Sequence, residues 1–375
     1  MKVLILGYGI FLLGFTLFTY LFVDLNLIYM ESIYTGFANH NRELVSIIYV
    51  VFISVFFLFY FFFLRNINQK ILMNLIILSV VFLFLSYPAI LSYDIFNYIF
   101  TAKILVWYQE NPFIVMPIEF LGDPYLSFTH AANKVALYGP SWVIMTGLPY
   151  LLGFNNFIFT LFNLKLFVVA FYFGILYLIY KLTGKTENVA YFALSPLVLI
   201  ETFVSGHNDV SMMFFAILSI YFLKKEKVYL ALGFLIISIF IKYATIFLIP
   251  VFVYYIFQKI KKRKINWEKI YISSALLMLI VLLLSPIREE IYPWYGIWFF
   301  TFIALTNNKK LKILGFVLSF GLMLRYVPFM YLGTHFGITP LIKILATYTP
   351  IIGFLLYLLK DFKNISKKIL RNENK

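Results

Sequence analysis

The hydrophobic residues of this chain fall in long blocks instead of alternating with polar residues. Blocks of about 20 apolar residues are long enough to cross the roughly 30 Å hydrocarbon core of a bilayer as helices. Divided at charged residues and at Pro or Gly, the chain contains about twelve such blocks. They lie at 3–23, 44–64, 71–91, 157–180, 188–205, 208–223, 228–242, 244–258, 268–285, 293–306, 311–330 and 340–359. This pattern predicts an all-α polytopic membrane protein built as a helical bundle.

Composition excludes the main alternatives. Of the 375 residues 63% are hydrophobic and 13% are charged, whereas a soluble domain is about 45–50% apolar and about 25% charged. A soluble enzyme, a disordered chain and a nucleic-acid binder are therefore excluded, and the missing alternation argues against a membrane β-barrel. The chain has no cysteine, so disulfides and thiolate metal sites are excluded as well.

The positions of the basic residues predict how the chain is oriented. If the N-terminus is cytoplasmic, 23 of the 31 Lys and Arg residues fall on the cytoplasmic side, as the positive-inside rule requires. Residues 360–375 then form a cytoplasmic basic tail. All four histidines and most carboxylates fall on the opposite side. We therefore expect an integral membrane protein of the cell membrane, with both termini cytoplasmic and its chemistry extracytoplasmic.

One long polar segment interrupts the apolar blocks. Residues 92–141 are predicted to form an extracytoplasmic loop, and 94–109 within it has the periodicity of a helix lying in the membrane interface. The apolar run 142–153 is too short to span, so it is interpreted as re-entrant or interfacial. Since no repeat or linker is visible, residues 1–375 are predicted to form a single membrane domain.

Asp94 is the first candidate catalytic residue. It follows the third apolar block, at the start of the predicted interfacial helix. A carboxylate there could simply favour the helix N-terminus, or it could act as a general base toward a hydroxyl. Glu110 and Asn111, before Pro112, form a chain reversal at the far end of that helix, and Tyr138-Gly139-Pro140 leads back toward the membrane.

A second polar group lies in the turn between two apolar blocks, where His207, Asn208 and Asp209 follow Gly206. Three consecutive polar residues beside a bilayer must be solvated, paired with other groups or engaged in function, because burying a polar side chain without a partner is costly. The structural alternative is a glycine turn with Asp209 capping the next helix. His207 and Asp209 could also ligate a metal, but no third ligand is evident.

Three cations and an aromatic pair complete the candidates. Lys242 interrupts an apolar stretch, and it either extends to the interface or meets an anion. Arg288 and Arg325 could likewise bind a phosphate. Trp294 and Tyr295 could stack on a sugar, although an aromatic belt at the interface is an equal alternative.

Several familiar signatures are absent. The sequence has no Walker loop, no dinucleotide-binding glycine motif and no His-Glu-x-x-His. A group-transfer reaction would therefore need an activated donor that comes from within the membrane.

In their order and on their common side, these motifs resemble the GT-C superfamily of membrane glycosyltransferases. The shared features are an Asp opening a large early outer loop, the Asn-Pro turn, Tyr-Gly-Pro, the Gly-His-Asn-Asp turn, a Lys before a Pro-containing span and a late Pro-Trp-Tyr. The pattern is most similar to that of polyprenyl-phosphate-mannose-dependent mannosyltransferases. Two spans more than in many such enzymes precede Asp94, and the acidic pair of several families is reduced to Asp94, with Glu110 as a distant second.

The resemblance implies an inverting transfer of mannose or another hexose from a polyprenyl-phosphate sugar to a hydroxyl of a glycan, lipid or protein acceptor. Asp94 would be the base, and the three cations would bind the donor phosphate. Substrate would be bound by Glu110, Asn111, Tyr138, His207, Asn208, Asp209, Trp294 and Tyr295. Because a lipid phosphate is a good leaving group, no cofactor is expected and a divalent metal is not chemically required. The alternative is a lipid-linked saccharide flippase or secondary transporter, which the gathering of polar groups at one face disfavours.

Overall fold

The regular structure of the chain is helical throughout. A computed structural model describes residues 2–23 and 36–373, with the side chains of the last helix described up to residue 356. No strand occurs in these residues. The α-helices are α1 (Lys2–Thr19), α2 (Phe37–His40), α3 (Arg42–Arg65), α4 (Gln69–Phe84), α5 (Asp94–Val106), α6 (Pro140–Leu151), α7 (Phe157–Thr183), α8 (Thr186–Ala193), α9 (Pro196–Leu199), α10 (Asp209–Lys224), α11 (Val228–Ile241), α12 (Ile249–Ile260), α13 (Trp267–Leu284), α14 (Gly296–Ile303), α15 (Lys309–Leu324), α16 (Val327–Leu332) and α17 (Thr339–Glu373). The all-α prediction is confirmed for this part of the chain.

Seven helical segments of the described chain are long and apolar enough to cross a bilayer. They are Lys2–Phe22, Arg42–Arg65, Phe157–Thr183, Tyr243–Ile260, Trp267–Ile287, Lys309–Leu332 and Thr339–Leu356. The pair Thr186–Ala193 and Pro196–Val204, bent by 57° at Leu194-Ser195, adds an eighth if it acts as one span. The chain is therefore an integral membrane protein.

The remaining predicted blocks hold shorter helices. Helix α4 ends at Phe84, seven residues before the predicted end at 91, because Pro88 lacks an N–H and disfavours helical geometry at the residue before it. Helices α10 and α11 have 16 and 14 residues, and α14 has only 8. The figure of about twelve crossings stays a prediction.

The loops that were predicted to share the cytoplasmic side contact one another at one end of the bundle. Three hydrogen bonds join them, from Lys185 Nζ to Asn307 Oδ1 (2.6 Å), from Lys224 Nζ to the carbonyl of Leu182 (2.8 Å) and from Lys312 Nζ to Asn188 Oδ1 (2.7 Å). The chain segments that follow α7, α10 and α14 therefore lie together at this basic end. Which end faces the cytoplasm stays a prediction.

The bent pair and α10 form the centre of the bundle, where nearly every side chain is buried. The predicted interfacial helix appears as α5, which ends at Val106 instead of 109 and is buried on both faces for most of its length. The apolar run predicted at 142–153 forms α6, which has 12 residues. That this helix is re-entrant or interfacial stays a prediction. The side chains of the predicted tail 360–375 lie outside the described residues.

Candidate active site

The site lies at the end of the bundle opposite the basic loops, where α5 begins. Asp94 is the first residue of α5, and its backbone N–H donates to the hydroxyl of Ser92 (3.2 Å). Its carboxylate points toward the turn before α10, with Oδ2 at 3.5 Å from Nδ1 of His207. The Asp94 side chain is 27% exposed, whereas His207 is completely buried. Asp94 therefore has one side held by the protein and one side open to a reactant.

A glycine allows the two polar groups to meet. Gly206 has a φ of +69°, in the left-handed region that favours glycine. A Cβ at this position would lie 2.6 Å from Cδ1 of Ile95, the residue that follows Asp94. Just beyond the turn, the backbone N–H of Asn208 lies 3.4 Å from the hydroxyl of Tyr98, also on α5. The turn therefore packs directly on the first two turns of α5.

The series of polar contacts continues from His207 into the protein interior. Its Nε2 lies 3.4 Å from Oε2 of Glu201, which is fully buried in the π-helical stretch 200–204 of the bent pair. The other carboxyl oxygen of Glu201 accepts a hydrogen bond from the hydroxyl of Tyr326 (2.8 Å). Asp94, His207, Glu201 and Tyr326 thus form one continuous chain of polar groups.

Lys242 and Asp209 form an ion pair beside this chain. Nζ of Lys242 lies 3.0 and 3.1 Å from the two carboxylate oxygens of Asp209, which also accepts a hydrogen bond from the indole N–H of Trp298. Asp209 is fully buried, whereas the Lys242 side chain is 23% exposed. Because one cation and one indole already satisfy Asp209, the exposed side of Lys242 is available to an anion.

Helix α11 ends at Ile241, next to Lys242, where the returning outer loop joins it. The backbone N–H of Gly139 donates to the carbonyl of Ile241 (3.2 Å), and a Cβ on Gly139 would collide with the carbonyl of Phe240. This close approach positions the preceding residue, Tyr138, whose ring centroid lies 4.5 Å from that of Tyr98. The hydroxyl of Tyr138 is buried and has no partner at ordinary hydrogen-bond geometry, but it interacts with Asp94 and lowers the pKa of that carboxyl group.

The loop before α14 contributes an aromatic wall. The ring of Trp294 stacks on His207 at 3.9 Å between centroids, and Tyr292 stacks on the other side of Trp294 at 4.6 Å. Tyr295 lies against Trp298 and beneath Nζ of Lys242, which is 4.6 Å from its ring centroid. The wall therefore fixes the plane of His207 and the position of Lys242.

The surroundings of Asp94 change its acidity. Burial is the largest effect and raises the pKa of Asp94 to about 6, while nearby Lys242 acts in the opposite direction. Asp209 and Glu289 contribute a smaller increase. A carboxylate with a pKa near 6 is mostly ionised at neutral pH and is a stronger base than an ordinary Asp.

Four predicted site residues lie elsewhere. Arg288 is 82% exposed, with its nearest carboxylate, Glu289, at 3.8 Å. Glu110 and Asn111 are exposed in the chain reversal, where Asn111 accepts the backbone N–H of Phe113 (3.0 Å). Arg325 is buried against Glu290 (3.1 Å). The three predicted phosphate ligands are therefore not brought together, and Lys242 alone of them lies beside Asp94.

The sequence interpretation missed four residues, of which Glu201, Trp298 and Tyr326 lie near the site and Lys343 lies beside Arg325. Glu201 is a lone acid inside a predicted span, the same signal that pointed to Lys242, and it could have been found in that way. Lys343, which pairs with Glu290 at 3.2 Å, is similarly visible in the last span. Trp298 and Tyr326 gave no signal, because aromatic residues occur throughout the apolar blocks.

The described residues contain no group of three or more His, Asp or Glu side chains placed to hold a metal ion. They do contain many buried polar atoms without a hydrogen-bond partner around the turn. These atoms belong to Ser205, His207, Asn208 and Ser211, in addition to Tyr138. Buried polar groups are normally satisfied by protein or by water, and a polar ligand that enters this end of the bundle could take the same place.

The model of a family described as alpha-(1->6)-mannopyranosyltransferase, N-terminal domain, matches residues 11–258. This region includes Asp94, His207, Asp209 and Lys242, whereas the aromatic wall lies beyond it. No curated protein and no solved structure matches the chain. The family match confirms the resemblance to membrane mannosyltransferases that the sequence predicted.

Proposed function

This chain belongs to the alpha-(1->6)-mannopyranosyltransferase family, and we propose that it transfers a mannosyl group from a polyprenyl-phosphate donor to an acceptor hydroxyl, with Asp94 as the general base. The observation that carries this proposal is the position of Asp94. Its carboxylate is partly exposed at the bundle end, with the cation Lys242 close by and buried, unpartnered polar groups around it. A base, a cation and sugar-binding groups are the components that such a transfer needs.

The proposed reaction is a single displacement. The acceptor oxygen attacks the anomeric carbon while Asp94 takes the hydroxyl proton, and the bond from that carbon to the phosphate oxygen breaks. The polyprenyl phosphate leaves with the electron pair, and Lys242 stabilises the charge that develops on it. The configuration at the anomeric carbon inverts. Because the family description names an alpha-(1->6) linkage, an inverting reaction requires a β-linked mannosyl phosphate as donor.

Lys242 suits the donor phosphate better than the two arginines. Arg325 is already engaged by Glu290, and Arg288 extends into solvent. Lys242 is held over the ring of Tyr295 and keeps an exposed side. Asn208 and Tyr138 would orient sugar hydroxyls, whereas the buried His207 and Asp209 would act through Asp94 and Lys242. The proposed acceptor is a glycan, lipid or protein that presents a primary hydroxyl, as the (1->6) linkage implies.

The test is product formation by purified protein in detergent. Supplied with β-linked polyprenyl-phosphate mannose and an acceptor, the wild type should release polyprenyl phosphate, whereas a nucleotide sugar alone should give no product. Asp94→Asn keeps the shape of the side chain but removes the base, so we expect a loss of about 10²–10⁴-fold in kcat. Glu43→Gln is the matched control, since this acid is exposed at the start of α3.

Two outcomes would overturn the proposal. A wild type that forms no product under these conditions would behave as a transporter does, because detergent removes the membrane across which a transporter works. Near-normal turnover by Asp94→Asn would mean that another group takes the proton. Both results are interpretable only if the variants remain monodisperse and melt near the wild-type temperature.

A further inference from the structure

Glu201 is a buried acid that the proposed reaction leaves without a role. It is fully buried at the centre of the bundle, and within the described residues its only ion-pair contact is with His207. No Lys or Arg side chain of this part of the chain compensates a negative charge there. An ionised carboxylate without a cation is strongly disfavoured in such a place, so Glu201 carries its proton.

The neighbours of Glu201 determine which oxygen carries that proton. Oε1 accepts the hydroxyl of Tyr326 and is therefore the carbonyl oxygen of the acid. The proton then resides on Oε2, the oxygen that faces Nε2 of His207 at 3.4 Å. A donor opposite Nε2 makes this nitrogen the acceptor of the imidazole. In a neutral imidazole the other nitrogen, Nδ1, then carries the hydrogen.

Nδ1 faces Oδ2 of Asp94 at 3.5 Å. Every donor in the series therefore points the same way, from Tyr326 through Glu201 and His207 to Asp94. The stacking of Trp294 on the imidazole holds the ring in the plane that this series needs. Both ring nitrogens and Oε2 of Glu201 are buried and have no partner at ordinary hydrogen-bond geometry. Shifts of a few tenths of an ångström, as active sites make on binding substrate, would satisfy all three.

We infer that Glu201 is a positioning residue, which acts through His207 to hold the Nδ1–H toward Oδ2 of Asp94. This contact fixes the carboxylate and leaves its other oxygen, Oδ1, to take the proton of the acceptor. The inference rests on the proposed role of Asp94 as base. It assigns to the acid in the π-helical stretch a function that neither the family match nor the sequence motifs contain.

Two substitutions of Glu201 separate this role from a structural one. In Glu201→Gln the amide carbonyl can accept from Tyr326 and the amide NH₂ can donate to Nε2, so both interactions of a neutral acid are reproduced. We expect kcat to stay within about threefold of the wild type. A tenfold change, by comparison, would correspond to about 1.4 kcal/mol. Glu201→Leu removes both interactions, and we expect kcat to fall about 100-fold, the lower end of what a general base contributes. The KM for donor should change little in both variants, since neither touches the sugar.

The measurement is kcat and KM for release of polyprenyl phosphate in detergent, with melting temperature and monodispersity as checks of folding. Glu187→Leu and Glu187→Gln are the matched controls, because Glu187 is an exposed acid of the same bent pair at its other end. Both should behave as the wild type does. If Glu201→Leu fails to fold, the test is the pH dependence of kcat/KM for Glu201→Gln. We expect the acid limb of its pH profile to coincide with that of the wild type.

The outcomes distinguish this inference from the proposed function. An inactive Asp94→Asn together with a fully active, folded Glu201→Leu would overturn the inference and leave Asp94 as the base. An active Asp94→Asn would overturn the proposed function itself. If Glu201→Gln loses as much activity as Glu201→Leu, or shifts the acid limb, Glu201 acts as a charged group and the inference is wrong.

Discussion

At the scale of single residues, the site shows that an ionisable side chain is explained by its partners and not by its position in the sequence. Lys242 and Arg288 were equivalent candidates in the sequence, yet one is held by Asp209 and the other extends into solvent. Sequence proximity to a motif does not determine side-chain direction. The polar turn was recognised from the sequence because three consecutive polar residues in an apolar chain are conspicuous, whereas Glu201 stood alone within an apolar block.

The acidity of Asp94 predicts how activity depends on pH. The general base works only when ionised, so kcat/KM should fall as pH decreases through about 6, by about tenfold per unit below that value. The charged and titratable groups that face Asp94 are Lys242, Asp209, Tyr138, Glu289 and His207. The measurement is kcat/KM from pH 4.5 to 8, with melting temperature recorded over the same range. A flat profile between pH 5 and 7 would contradict this prediction.

The ion pair of Lys242 gives a prediction that separates stability from donor binding. Lys242→Met leaves Asp209 buried without its cation and should reduce the free energy of unfolding by about 3 kcal/mol. Asp209→Asn removes the anion and keeps the cation, so donor use should persist. The double variant should regain stability, but its kcat/KM for donor should lie about 10–100-fold below that of Asp209→Asn. Equal donor use by the double variant and Asp209→Asn would limit Lys242 to a structural role.

At the scale of elements, the sequence predicted the positions of the helices more accurately than their boundaries and bends. Each predicted apolar block contains a helix, because hydrophobic runs of this length have no other way to satisfy their backbone in a bilayer. The bend of 57° at Leu194-Ser195 and the π-helical stretch after it were not predicted. They depend on packing around the centre of the bundle, although Pro196 gives a local reason for the break.

The turn at Gly206 predicts a different response from two otherwise similar glycines. Gly206 and Gly184 have φ values of +69° and +68°, so an alanine at either position should cost about 1 kcal/mol from backbone strain. A Cβ at Gly206 also meets Ile95, whereas nothing lies within 4 Å of a Cβ at Gly184. Gly206→Ala should therefore separate His207 from Asp94 and reduce kcat at least tenfold, while Gly184→Ala should change only the melting temperature. Equal activity of the two variants would contradict this interpretation.

At the scale of the whole molecule, two ends with different chemistry organise the bundle. The basic loops contact one another at one end, and the site occupies the other. The sequence predicted this separation from charge alone, because alternating spans bring every second loop to the same side. It could not predict that the aromatic wall would reach His207, since that contact joins parts of the chain 87 residues apart.

The predicted orientation can be tested by cysteine labelling, because the chain has no cysteine of its own. Single cysteines in place of Glu119 and Ser127 should react with a membrane-impermeant maleimide added to intact cells. Cysteines in place of Lys227 and Lys264 should react only after the membrane is opened. Both pairs are in loops, so the labelling reports the side of the membrane and not burial. Labelling of all four in intact cells would contradict an extracytoplasmic site.

The stacking of Trp294 on His207 determines whether the region matched by the family can function without the rest of the chain. The family match ends at residue 258 and contains the proposed base and its histidine, but the aromatic wall and the tyrosine that bonds Glu201 come from the part of the chain that follows. A fragment ending there would keep Asp94, the polar turn and Lys242 but lose the surfaces that hold them in place. Swapping the first 258 residues between relatives would therefore create a new junction inside the site. Such a chimera should be active only if the aromatic loop of one relative packs correctly on the polar turn of the other.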